Sequence, residues 1–521
     1  VNAVSSTSGS IIIPPGSLVA NPSISQVPSV LKLLGRADFR GSLQINLPQG
    51  VVSLTEQTQL RGERLDLCKV VGSSVASSVS ALVSVNGAAK SYSVTLTIAN
   101  ASQAQVGDYL IIRHDIAGDG YPHIHCGGWR ITAVSGSNVT VLNTCNLSSF
   151  PSSTISSATA SIVKSVLQYT GCDGIRPEGG SCIGTIDGVA IVGDYSLATG
   201  LGTIGAHGVI SATPVVISDP ANASNNVANM DAALALGQNV VISSWGEQGL
   251  AVSGRTSVVC NYIASCSNRK RGIYAEGAHI RGKFMLVSGN GEDGLIADTT
   301  GFIQAAYVVA SGNGLNGFWS TNNSFIVAVN SKACCNVTNG YEARGQTRLG
   351  ADVGLAYGNQ LNGVSASNGG MVDFKVGMSR NNTFDGLAAT YGSVIDGRNG
   401  SSTSNGRYGA NTTNAVINMT GSGSISGNTS VDVRDNGGGV VVRPNGVIYP
   451  FSGEPQRNLT IRNETTEAGG DLISTSVGDL ILSLKSTSGG TINPLYLFKA
   501  DGTQHPQNDA TQNLGRAANR Y

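Results

Sequence analysis

Between residues 268 and 409, apolar and polar positions follow one scheme repeated six times. Each unit opens on a glycine: Gly272, Gly294, Gly317, Gly340, Gly363 and Gly386. The first and third residues after it are apolar or small, as in Ile273/Ala275, Leu295/Ala297, Phe318/Ser320, Tyr341/Ala343, Val364/Ala366 and Leu387/Ala389. Alternation of period two predicts a strand with those residues facing inward. A second strand is predicted near the eighth residue, with inward Ile280, Ile303, Ile326, Leu349, Val372 and Ile395. A third apolar stretch closes the unit, for example Met285–Val287 and Tyr307–Ala310.

An asparagine ends each unit at a fixed distance before the next glycine. The pairs are Asn268/Gly272, Asn290/Gly294, Asn313/Gly317, Asn336/Gly340, Asn359/Gly363, Asn382/Gly386 and Asn405/Gly409, with Gly249 one step earlier. The glycines are 22 or 23 residues apart. A fixed period in this range marks a solenoid, whose units bury their apolar faces only by stacking. Three short strands per unit predict an all-β fold: a right-handed, single-stranded parallel β-helix of about 23 residues per coil, with small flanking β domains. The asparagine column is expected to be structural, its residues taking left-handed turns and bonding from coil to coil.

Composition narrows the function classes. Charged residues are 12% of the 521, against roughly 25% in an average globular protein. The formal net charge is zero and no basic block is present, which points away from nucleic acid. No apolar run reaches the roughly 18 residues of a membrane span, so membrane insertion is not expected. With no signal peptide and no initiator Met, the chain reads as a fragment or processed product. Nine cysteines are too few for a disulfide framework and read as small buried hydrophobes. The segment HIHC (His123, His125, Cys126) lacks a second ligand cluster at zinc spacing, so no metal is expected. The strings Gly289/Gly291 and Gly312/Gly314 lack the rest of a nucleotide fingerprint, and no cofactor is expected.

Four regions follow from these patterns. Residues 1–55 are a lead-in with Pro14 and Pro15 that ends in a first coil, LQINLPQGVVSL. Residues 56–165 hold irregular coils and a compact β unit over about 90–145. Residues 166–450 form the β-helix, with a polar loop at 218–231 projecting from a coil. Residues 451–521 read as a C-terminal β region of further short strands.

Three features resemble one family. They are the 23-residue coils, the opening INLPQGVVSL and the closing LFKADGTQHPQNDATQNLGRAANRY. Together they are similar to bacteriophage tailspike or tail-fibre depolymerases built on the pectate-lyase-like β-helix. The resemblance implies a homotrimer on the virion, acting at the host surface on capsule or O-antigen polysaccharide, with residues 451–521 serving trimerisation or preceding a chaperone domain. It also implies attachment to the tail or baseplate through an N-terminal domain that is not evident here. The family has no universal catalytic motif, so it carries over no residue.

Candidate residues come instead from register. The second position after each glycine reads Tyr274, Ile296, Trp319, Glu342, Ser365, Ala388. The fourth reads Glu276, Asp298, Thr321, Arg344, Ser367, Thr390. One outward face thus gathers three carboxylates, two aromatics and an arginine. Paired carboxylates suit glycoside hydrolysis, one as acid and one as base or nucleophile. Glu276, Asp298 and Glu342 are the catalytic candidates, with a Glu276/Asp298 pair near retaining separation and Asp298/Glu342 nearer the inverting one. Trp319 and Tyr274 offer faces to a sugar ring, and Arg344 a cation. Trp245 and Glu247 would extend the groove.

A second face collects Asp352, Asp373, Lys375, Asp396 and Arg398. It suits either a salt-bridged ladder or a polysaccharide lyase acting on a uronic acid, in which Lys375 or Arg398 neutralises the sugar carboxylate. A non-catalytic glycan-binding fibre is the third reading. Glu292 and Asp293 are expected to be solvated in a turn, and Asp115, Asp119 and His123 in the β unit form a lesser candidate loop site.

Overall fold

The computed structural model describes residues 43–442 except 48, 56, 61–67, 115–121, 156–157, 178–183, 212–214, 218–238, 255 and 437. It also describes short strands at Ser10–Ile11, Val30–Leu31, Ile448–Pro450, Leu480–Leu484, Asn493–Phe498 and Gln504–Pro506. The Pro14-Pro15 lead-in, the 218–231 loop, Asp115, Asp119 and residues 507–521 lie outside the described residues.

Each coil contributes one strand to each of three sheets, of 12, 12 and 14 strands among the described residues, all parallel except that the last strand of the third, Ile448–Pro450, runs antiparallel to Val440–Val442. The coil from Gly317 is typical. Phe318–Thr321 joins sheet 1, Phe325–Val329 joins sheet 2 and Lys332–Cys334 joins sheet 3. The alternation predicts the burial closely. Phe318, Ser320, Tyr341, Ala343, Val364, Leu387 and Ala389 are fully buried, as are all six inward residues of the second strand. Large side chains buried in this way stabilise by about 1.5–3 kcal/mol each. The rings of Phe318 and Tyr341 stack at 4.9 Å and 12°, so successive coils share one continuous core.

The asparagines form an unbroken ladder from Asn268 to Asn428. Each Nδ2 donates to the Oδ1 of the asparagine one coil on, at 2.9–3.0 Å. Each backbone N–H donates to the same oxygen at 3.0–3.2 Å. The glycine column follows from this ladder. A Cβ on Gly317 would lie 2.7 Å from the Gly340 oxygen and 2.9 Å from the Asn336 amide nitrogen. The side-chain amide of the next coil occupies the space that any other residue would need.

One expectation is corrected. The asparagines do not take the left-handed conformation; the residue before each does, as in Ser267 (φ 60°), Gly312 (φ 63°), Cys335 (φ 57°) and Asn381 (φ 54°). The turn is made one residue early, which leaves the asparagine side chain aligned with the stack.

The compact β unit is a closed six-stranded barrel, larger than the sequence suggested. Its strands are Ser74–Ala88, Ser91–Ile98, Tyr109–Arg113, Gly127–Ser135, Asn138–Asn143 and Ala158–Val163. The first and last are rich in Ser, Ala and Val and signal weakly by themselves; they pair with each other across more than seventy residues. The barrel leaves the β-helix after the first coil and packs on sheet 3. Val192, Val241, Ala264, Leu286, Val309 and Tyr357 are buried against it.

The HIHC segment lies under this contact. His123 and His125 are 0% and 1% exposed. Burial is the largest cause depressing both rings, His125 to about 3. His123 shares a hydrogen bond with Tyr357, and His125 with Ser153 at 2.8 Å. Cys126, Cys145, Cys260, Cys266, Cys334 and Cys335 are buried thiols.

Candidate functional site

The outward face of sheet 1 has the register read from the sequence. Tyr274 pairs with Ile296, Ile296 with Trp319, Trp319 with Glu342 and Glu342 with Ser365. Two positions along, Glu276 pairs with Asp298, and Thr321 with Arg344. Parallel partners stand about 4.8 Å apart. The structure therefore brings Tyr274, Glu276, Asp298, Trp319, Glu342 and Arg344 onto one face.

Asp298 is the best-held carboxylate on it. Its Oδ2 accepts from the Tyr274 hydroxyl at 3.3 Å, and its Oδ1 from Asn322 Nδ2 at 2.7 Å and Thr299 Oγ1 at 3.3 Å. Glu276 is exposed beside it. Burial first, then the charges of Asp298 and Glu276, push the Tyr274 phenol up to about 12, so it stays a donor. The Arg271 guanidinium lies 4.7 Å from the centre of the Tyr274 ring. Trp319 is half-buried, and its indole nitrogen is out of solvent with no hydrogen-bond partner among the described residues. The part of the ring that reaches solvent is therefore carbon, the surface on which a sugar ring stacks. Arg344 is exposed and makes no ion pair among the described residues. Beside this column the turns into sheet 2 form a trough of side-chain amides and hydroxyls, including Thr299, Thr300, Asn322, Asn323, Gln346 and Asn368.

Glu342 is held differently. Its Oε2 accepts from Asn339 Nδ2 at 3.1 Å. Burial is the largest cause raising its carboxyl above the usual range; Asn339 and the Arg344 charge oppose it. Asn339 belongs to a second ladder that the sequence reading missed. Its Nδ2 also donates to Asn316 Oδ1 at 3.2 Å, and Asn316 Nδ2 donates to Asp293 Oδ1 at 3.1 Å. In the other direction Asn362 Nδ2 donates to Asn339 Oδ1 at 3.0 Å, and the Asp385 N–H to Asn362 Oδ1 at 3.2 Å. Arg407 closes that end on the buried Asp385 carboxylate, at 2.7 and 2.5 Å. The available signal was the residue just before each glycine, which reads Asp, Asn, Asn, Asn, Asp from 293 to 385.

Asp293 is therefore a correction: it is 0% exposed rather than solvated. Its Oδ2 is buried without a partner among the described residues, and burial lifts the carboxyl to about 6 against the pull of Asn316 and Arg271. Trp245 is corrected as well. It is 1% exposed in the core of the β-helix, its indole N–H donating to the Ile191 carbonyl at 3.1 Å, and it offers no face to a ligand. Its coil is irregular, so counting from the glycine misplaces it. Glu247 is tied to Lys270 at 2.5 Å and Arg269 at 3.6 Å.

On sheet 2, Asp373 pairs with Asp396 in register. Every acid there has a cation. Arg348 Nε and Nη2 bind Asp373 at 2.7 and 2.6 Å, and Arg398 grips Asp396 at 2.9 and 2.8 Å. Lys375 lies between Asp352, Asp373 and Asp396 at 4.0, 3.6 and 3.7 Å. The cations that a lyase would turn to substrate are engaged with these carboxylates.

No family model and no curated protein matches the sequence. Among solved structures the chain is similar to the A-module of mannuronan C-5 epimerase AlgE6 from Azotobacter vinelandii. Identity is 12%, the TM-score 0.42, and the match covers 78% of this chain and 92% of that one. The A-module of AlgE4 from the same organism gives 10% identity and a TM-score of 0.43, over 76% and 87% of the two chains. The tailspike gp61 of Pseudomonas phage phi297 gives 12% and 0.27, over 75% and 71%.

Proposed function

We propose that the outward face of sheet 1 binds a bacterial surface polysaccharide, capsule or O-antigen, and hydrolyses its glycosidic bonds. The observation that carries this is the direct pairing of Glu276 with Asp298, beside Tyr274 and one coil from Trp319. Side chains projecting from paired positions about 4.8 Å apart suit the roughly 5–5.5 Å separation of a retaining glycosidase. Asp298, fixed by three donors, is aimed as the nucleophile. Glu276, exposed and one strand away, is the acid that protonates the leaving oxygen and later the base that activates water.

Glu342 takes another part. It stands two strands and two residues from Asp298, about 12 Å between Cα atoms. Its bond to Asn339 draws it toward the preceding turn rather than toward Asp298. With a raised carboxyl it serves as a hydrogen-bonding contact to a neighbouring sugar. Trp319 stacks on the chain between the two, Arg344 faces an acidic substituent, and the amide-rich trough takes hydroxyl groups. The resemblance of the opening and closing segments to tailspikes supports a homotrimer carried on a phage tail.

The test is incubation with a panel of capsular and O-antigen polysaccharides. New reducing ends without the ultraviolet absorbance of an unsaturated uronate are expected. Glu276→Gln and Asp298→Asn should each lower the rate at least roughly 100-fold. Binding without new reducing ends would remove the enzymatic reading and leave a glycan-binding fibre. Ultraviolet absorbance appearing with the ends would make it a lyase.

A further inference from the structure

We propose that the cleft between the barrel and sheet 3 is a second carbohydrate site, one that takes a single acidic sugar. The cleft holds about 270 Å³. That is just under the roughly 300–1,000 Å³ of ordinary small-molecule pockets, so it suits one sugar residue rather than a chain. It lies on sheet 3, whereas the carboxylate face lies on sheet 1.

The two walls come from different parts of the chain. The barrel supplies Lys90, Tyr109 and Arg130; the β-helix supplies Gln168, Ser243 and Ser244. Lys90 sits in the left-handed turn between the first two barrel strands (φ 66°), and its N–H is anchored on the Cys145 carbonyl at 2.9 Å. Arg130 pairs with Tyr109 in the barrel register, so its guanidinium rises beside the phenol. Neither cation has an ion-pair partner among the described residues.

Asp194 is the single carboxylate among the described lining residues, and it is already engaged. One oxygen accepts from the Thr203 N–H at 2.8 Å and the other from the Thr203 hydroxyl at 2.7 Å. Two cations against one committed carboxylate leave the cleft positive. Its floor carries hydroxyls, with Ser243 and Ser244 Oγ atoms 3.3 Å apart. The loop that closes one side is pinned by Gly193 N–H to the Ser243 carbonyl and Tyr195 N–H to the Ser244 carbonyl, both 3.0 Å. The site is thus formed before any ligand arrives, which limits the ordering cost of binding.

This chemistry selects one class. A carboxylate answers Lys90 and Arg130 through charge-assisted bonds. Ring hydroxyls answer the serines and Gln168. A hexuronate carries both groups. The anion preference stands on the cleft alone; the choice of a sugar rests on the polysaccharide reading of sheet 1.

Calorimetric titration of the full chain with glucuronate, glucose and inorganic phosphate tests it. Glucuronate should bind at least tenfold more tightly than glucose or phosphate. Arg130→Gln and Lys90→Gln, both at exposed positions, should each weaken it about tenfold with an unchanged melting temperature. Asp298→Asn should lose cleavage and keep glucuronate binding, which separates this site from the other. Equal affinity for glucose overturns the site as an anion site, and equal affinity for phosphate overturns the sugar assignment. Glucuronate binding unchanged in both variants overturns the location. Glucuronate binding in a protein that cleaves no polysaccharide sinks the sheet 1 reading instead.

Discussion

Replacing Asp293 by asparagine isolates the group on which the second ladder ends. The carboxyl is 0% exposed, accepts two bonds from Asn316 through Oδ1 and has no partner at Oδ2 among the described residues. Burial raises it to about 6. An unfolded aspartate titrates near 3.9, so the folded state binds the proton more tightly by about two pKa units. Between those values the native protein holds more protons than the unfolded one, and stability falls as pH rises. The contribution is fully present below about pH 4, declines through about pH 6 and is gone above it. At 1.36 kcal/mol per unit the span is about 3 kcal/mol. The Asp293→Asn side chain would keep the shape and the Oδ1 acceptor, and it cannot ionise. Urea unfolding of both proteins from about pH 4 to about pH 8 measures the effect, because every other titrating group cancels in the difference. The variant should gain on the wild type by about 3 kcal/mol across that range. Parallel curves would refute a buried, proton-binding Asp293.

Three further outcomes follow from the stack and the face. Asn336→Ala leaves the buried Asn313 N–H without its acceptor and removes two donated bonds, to Asn359 and the Ala310 carbonyl. It should cost about 3–5 kcal/mol in chemical unfolding, and a loss under about 1 kcal/mol would show that the ladder is incidental. Gly317→Ala drives a methyl against the Gly340 carbonyl and the Asn336 amide, and should cost about 1–3 kcal/mol; an unchanged unfolding midpoint would contradict the reason given for the glycine column. Trp319→Ala should weaken oligosaccharide binding about tenfold while leaving the trough and the ladder intact, and unaltered affinity would remove the ring from the binding path.

Much of the site was legible because a solenoid turns sequence distance into spatial distance. Once the period was read, Tyr274, Ile296, Trp319 and Glu342 fell into one column and Glu276 beside Asp298, and the strand register places them so. Where the period breaks, sequence distance no longer gives spatial distance. Trp245 stands in an irregular coil, and counting from the glycine put a core residue on the surface.

The sequence by itself determined the coil, its three strands, its inward residues and its asparagine ladder, since each of these depends on contacts that repeat every 22 or 23 residues. Tertiary structure alone decided the rest. It closed the barrel through strands that pair across more than seventy residues, and laid it over sheet 3 to create a cleft between Arg130 and Ser243. It turned Asp293 from a solvated turn residue into a buried end of a hydrogen-bond chain reaching Glu342. It also decided that Glu342 leans toward Asn339 and not toward Asp298. Repetition is written in local spacing, whereas burial and the direction of a side chain depend on neighbours that only the folded chain supplies.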